Sequence, residues 1–131
     1  MTARCLAGII VGMVLACLPE LAGAQTRTVN GQSGILGEWA LTAEVTEKEI
    51  RSTKQWIGPL SMKHVGFCSS DGPEERTGEL RMITSDPPKT VVATLTIEGT
   101  ACTFKGRLNG TYDGILSCPD RRDVPMMLSI Q

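Results

Sequence analysis

Apolar and polar residues alternate one for one along most of this chain, the pattern of strands that bury a single face. In 37–46, Trp39, Leu41, Ala43 and Val45 fall on one face, with Glu38, Thr42, Glu44 and Thr46 on the other. In 56–68 the pattern loosens. Leu60, Met62 and His64 share a face with Cys68, and Pro59 suits an edge or a strand start. The same alternation predicts strands over 78–84 (Leu80, Met82 inward), 90–98 (Val91, Ala93, Leu95, Ile97) and 101–108 (Cys102, Phe104, Gly106, Leu108). It continues through 111–118 (Tyr112, Gly114, Leu116, Cys118) and 124–130 (Met126, Leu128, Ile130).

These seven strands are joined by short links with turn chemistry, such as Asp86-Pro87-Pro88, Glu98-Gly99 and Asn109-Gly110. Short links favour sequential antiparallel neighbours. A meander with one dry face must close or double up to hide it. The expected fold is therefore all-β, a small antiparallel meander forming a seven- to eight-stranded up-and-down barrel, in preference to a two-sheet sandwich. Two stretches break the alternation. Residues 25–36 are polar and glycine-containing and read as a flexible leader to a single β domain over 37–131. Residues 46–55 open with Thr46-Glu47-Lys48-Glu49, which reads either as a capping box for a short helix or as a long hairpin tip.

The N-terminus is of a different kind. Arg4, an apolar run from Cys5 to Leu18, and Ala22-Gly23-Ala24 have the layout of a secretory signal peptide cut after Ala24. The run is shorter than the roughly 20 residues of a membrane span. Val14-Leu15-Ala16-Cys17 offers an alternative, a lipobox with Cys17 as the lipidated N-terminus. No second apolar stretch of spanning length follows, so no transmembrane domain is expected in the mature chain. The expected location is the periplasm or the extracellular space, with lipid anchoring as the alternative.

Charge narrows the partners. Thirteen Lys and Arg balance 14 Asp and Glu, for a net charge of −1. Such a chain lacks the electrostatic footprint of a nucleic-acid binder.

Export gives the cysteines a reason to pair. Pairing the strands around Asn109-Gly110-Thr111 sets Leu108 against Tyr112, Gly106 against Gly114, Phe104 against Leu116 and Cys102 against Cys118. Every inward residue then meets an inward residue, as a buried face requires. Gly110 supplies a left-handed residue for the turn. Directly opposed residues lie about 4.5–5.5 Å apart, within disulfide reach. Cys102–Cys118 is the expected bridge and Cys68 the candidate free thiol, with Cys68–Cys118 and Cys68–Cys102 left open. The facing glycines, Gly106 and Gly114, mark a bend or a close approach of backbones.

Little in the chain points to catalysis or metal. His64 with Cys68, Cys102 and Cys118 makes a one-His, three-Cys set, but without Cys-x-x-Cys spacing and with thiols expected to oxidise. His64 and Cys68 sit about 13 Å apart along an extended strand, too far for a nucleophile–base pair. Asp71 and Asp113 are candidate orienting groups, yet no Gly-x-Ser-x-Gly accompanies them. Asp71-Gly72-Pro73-Glu74-Glu75 lacks the alternating oxygens of a calcium loop. Arg121-Arg122 between Asp120 and Asp123 reads as a solvated turn, and Asn109-Gly110-Thr111 as a hairpin turn before a glycosylation sequon. Trp39 and Trp56 are candidate linings for the mouth of a cavity.

The tryptophan near the first predicted strand and the meander resemble lipocalin-like and avidin-like barrels in architecture. That likeness carries no residue roles across. The chain thus reads as an exported, non-enzymatic β-barrel without metal or cofactor. It would act by binding a small apolar ligand if the interior is hollow, or a protein if side chains fill it. An envelope structural component and a secreted inhibitor or effector are the alternatives.

Overall fold

A computed structural model describes residues 25–34, 38–65 and 74–131. The signal-peptide and lipobox readings, Cys68 and Asp71 lie outside the described residues. The chain forms eight strands: β1 (Thr26–Ser33), β2 (Trp39–Ile50), β3 (Thr53–His64), β4 (Glu75–Thr84), β5 (Thr90–Ile97), β6 (Thr100–Asn109), β7 (Thr111–Ser117) and β8 (Val124–Ile130). Each pairs antiparallel with its sequence neighbour, and β8 returns to β1, closing the barrel. The expected up-and-down barrel is therefore present and the sandwich is not.

Residues 26–33 correct the leader reading. This segment is β1, paired with β2 through Val29↔Ala43 and with β8 through Gly31↔Leu128. Its side chains are mostly polar because only Val29 and Ser33 are buried. What holds it is its backbone, which satisfies the otherwise open hydrogen-bonding edges of both β2 and β8. The 46–55 segment is a hairpin tip, not a helix. β2 runs to Ile50 and β3 starts at Thr53, with Arg51 and Ser52 both left-handed at φ 50° and 65°. Two successive left-handed residues are the primed turn that follows the twist of a hairpin.

The inward faces are those the alternation assigns. Leu41, Val45, Leu80, Met82, Leu95, Phe104, Met126 and Leu128 are buried in one continuous core. The largest, Phe104, lies over Gly106, where a Cβ would come within 2.7 Å of the ring Cζ. Gly114 stands across from Gly106, and a Cβ there would lie 1.8 Å from the Lys105 carbonyl oxygen. The facing glycines thus mark a close approach of β6 and β7. Leu108 corrects the inward list. It is 44% exposed because it stands beyond the start of β5 at Thr90, whereas Tyr112 opposite it, between β6 and β8, is buried.

The β6–β7 register is the expected one, Leu108↔Tyr112, Gly106↔Gly114 and Phe104↔Leu116. Cys102 and Cys118 are bridged with their Cα atoms 4.3 Å apart. Gly110 turns the hairpin at φ 74°.

Candidate functional site

An up-and-down barrel has two unlike ends. The β2–β3, β4–β5 and β6–β7 turns, together with Gln25 and Gln131, lie at one end. The ends of β1, β3, β5 and β7 and the starts of β2, β4, β6 and β8 lie at the other. The tryptophans divide between them. Trp39 pairs with His64 in register, whereas Trp56 pairs with Glu47, eight residues further along β2. At roughly 3.3 Å per residue this separates them by about 26 Å. They do not line one mouth, and that expectation is corrected. Antiparallel pairing sends the start of β2 and the start of β3 to opposite ends.

The Trp56 end is capped. The Arg27 guanidinium carbon stands 5.3 Å from the Trp56 ring centroid, and Lys54 pairs with Glu47 at 3.4 Å. Both Arg27 and Trp56 follow the inward parity of their strands, so charge and ring close the core from below.

The Trp39 end is concave. A cavity of about 600 Å³ opens there. Its deepest lining, Met62, Leu116 and the Cys102 half of the disulfide, is apolar and buried. Half-buried Trp39, Ile97, Cys118 and Val124 continue it outward. Charged residues form the rest, with Glu38, Glu98, Asp120 and Asp123 set against Arg76, Arg121 and Arg122. Ser33, at the end of β1, is the buried polar residue of the lining.

The sequence explains how these groups arrive. Arg76 has the inward parity of β4, two residues before Gly78 and four before Leu80, so it turns toward the barrel axis once the core has ended. It lies over Trp39, with the guanidinium carbon 5.3 Å from the ring centroid. Glu74 accepts hydrogen bonds from Arg76 Nε at 3.1 Å and Nη2 at 2.8 Å. Those bonds raise the guanidinium pKa above its ordinary value. The Glu74 charge adds to this, outweighing a small desolvation effect, and Glu98 and Asp120 add further. Arg76 is thus a fixed cation on an aromatic face. His64 packs edge-on against the same ring, centroids 4.8 Å apart. The disulfide anchors the opposite wall. Cys118 N–H donates to the Arg121 carbonyl at 2.6 Å, folding the 118–123 loop over the opening, and Asp123 is left-handed at φ 57°.

Trp39 therefore stands in the mouth, without Trp56, and beside the expected Cys102–Cys118 bridge. Arg76, Glu98 and the 120–123 charges were not legible as site residues. Parity alone marks Arg76 as inward, and Arg121-Arg122 reads as an ordinary solvated turn. Chemically the mouth offers an apolar floor and a rim of both charge signs. Such a rim has no strong field of one sign to draw a small ion. Among the described residues no group of three or more His, Cys, Asp or Glu is placed to hold a metal, and no helix is long and apolar enough to cross a membrane. No family model matches the chain, and no curated protein matches it.

Proposed function

We propose that this chain is an exported, non-enzymatic β-barrel that works by binding, and that it binds at the Trp39 mouth. The partner is a protein that presents an apolar side chain flanked by polar and charged groups. The contrast between a side-chain-filled interior and an open, amphipathic mouth carries this reading. Phe104, Leu95, Met82 and Leu128 occupy the barrel axis, which disfavours a small apolar ligand held deep inside. An apolar floor inside a polar rim is the anatomy of a protein-binding surface. Trp and Arg, here Trp39 and Arg76, are the residue types that most often dominate such contacts. A secreted inhibitor or effector is one form of this reading. The disulfide is compatible with an oxidising, exported setting.

The envelope reading, with a lipid anchor at Cys17, has one observation in its favour. Gln25 lies at the end opposite the mouth, where its carbonyl accepts from Glu47 N–H. A tether there would leave the mouth facing away from the membrane.

The test places a photo-crosslinking residue at Arg121 on the rim and, separately, at Asn109 at the opposite end, in cells that produce the protein. A protein adduct of reproducible mass from position 121, absent from 109 and lost on Trp39→Ala, is the expected result. Equal adducts from both positions, or none from 121, would refute binding at the mouth. Mass spectrometry of the recovered N-terminus separates the two settings, Gln25 for a cleaved signal and a lipidated Cys17 for the anchor.

A further inference from the structure

The outer wall of the barrel is uneven. Cross-strand register aligns Ile83 (β4), Val92 (β5), Lys105 (β6), Ile115 (β7) and Pro125 (β8) in one outward-facing row. Met127 lies next to it, one outward position along β8 from Pro125. Ile83, Val92, Ile115 and Met127 are 42–47% exposed. The row crosses four inter-strand spacings, about 19 Å. Outward positions on β1–β3 are mostly polar, Asn30, Thr42, Glu44, Ser61 and Lys63 among them, with Ile57 and Pro59 of β3 as apolar exceptions. Single exposed apolar residues need no explanation, but four grouped on one wall around the aliphatic stem of Lys105 mark an interaction surface.

Charge identifies what covers it. Arg107 and Asp113 are paired directly in register across the β6–β7 seam, one outward row from Lys105 and Ile115. The Asp113 carboxylate accepts from the Thr111 hydroxyl. Among the described residues the ion pairs are Lys54–Glu47, Arg76–Glu74 and Arg81–Glu79, so Arg107 and Asp113 are not bridged within the chain. In a twofold dimer each surface meets its own mirror arrangement about the axis. An axis along the β6–β7 seam sets Arg107 against Asp113 of the second copy, twice. It also sets Val92 against Pro125, and Ile115 against the aliphatic stem of Lys105. Opposite charges then meet across the seam, Val92 and Ile115 meet apolar surface, and Met127 meets Thr90 of the second copy.

We propose that this wall is a homodimer interface, with the β6–β7 seam on the twofold. It is separate from the mouth and stands whether or not the mouth binds a protein. Sedimentation equilibrium of the chain as recovered from producing cells tests it. A concentration-dependent dimer is expected, converted to monomer by Val92→Glu or Ile115→Glu and unaffected by Thr42→Glu on the polar wall. Arg107→Glu should weaken the dimer by about tenfold, and adding Asp113→Arg should restore it, since each interface holds two such pairs. Far-ultraviolet dichroism and melting of each variant show whether its fold is intact. A monomer at about 1 mM, the level of the weakest association worth naming, would overturn the proposal. So would a dimer that Val92→Glu, Ile115→Glu and the charge reversal all leave intact.

Discussion

Replacing both Cys102 and Cys118 by alanine removes the one covalent link in the described barrel, and its cost follows from where that link lies. The bridge joins residues 16 apart in sequence. In the chain-entropy account, releasing a loop of that size returns about 3 kcal/mol of freedom to the unfolded chain at 25 °C. The native side loses little. The two Cα atoms already face each other at the end of a ladder that Phe104↔Leu116 and Gly106↔Gly114 hold without help. Cys102 is buried, so removing its sulfur adds a packing loss of up to about 1 kcal/mol. The expected total is about 3–4 kcal/mol, a large share of the 5–15 kcal/mol that holds a typical domain folded. In a domain of about 100 residues each kcal/mol lowers the melting temperature by roughly 4–8 °C, so a fall of at least about 12 °C is expected. Guanidinium unfolding of the oxidised parent and the double variant, followed by far-ultraviolet dichroism and extrapolated to water, gives the difference directly. A loss below about 1 kcal/mol would refute the reasoning, because the loop term alone is larger. Peptide mapping that finds Cys68 in the bridge would refute the connectivity itself.

Other consequences concern turns and core. Arg51 and Ser52 both occupy the left-handed region without being glycine, so Arg51→Asn with Ser52→Gly should stabilise the barrel by about 1–2 kcal/mol, read as a higher urea midpoint at unchanged slope. Ser85 Oγ accepts from the Lys89 and Thr90 amides at 2.9 and 3.0 Å and donates to the Pro87 carbonyl. Ser85→Ala should cost about 1–2 kcal/mol and speed hydrogen exchange at those two amides, with amides elsewhere little changed. Phe104→Ala empties the largest buried position and should cost about 3–5 kcal/mol in the same unfolding assay. Gly78→Ala places a Cβ 1.8 Å from the Thr96 carbonyl oxygen, so β4 and β5 must part there. It should destabilise the fold even though alanine is otherwise compatible with the inward face, and an unchanged melting temperature would contradict the close approach.

Local alternation was sufficient for much of this architecture. A strand side chain can face only one of two ways, so residues such as Leu41, Leu80, Leu95 and Leu128 declare their face in the chain itself. The β6–β7 register was equally legible. A short turn leaves few ways to pair two strands, and only one of them sets Cys102 opposite Cys118 with every inward residue facing inward. The closing strand was not legible. β1 is a strand because β2 and β8 each need a partner for their backbone groups, and that demand comes from elements distant in sequence. The same holds for the mouth. Trp39 and Trp56 look alike in the sequence, yet antiparallel pairing along the long β2–β3 hairpin puts one in an open rim and the other under Arg27. Arg76 reaches Trp39 only across the barrel's end, from a strand two removed from it. Which way a side chain faces is a local property of the pleat, whereas which groups share an end of the barrel depends on register summed around its whole circumference.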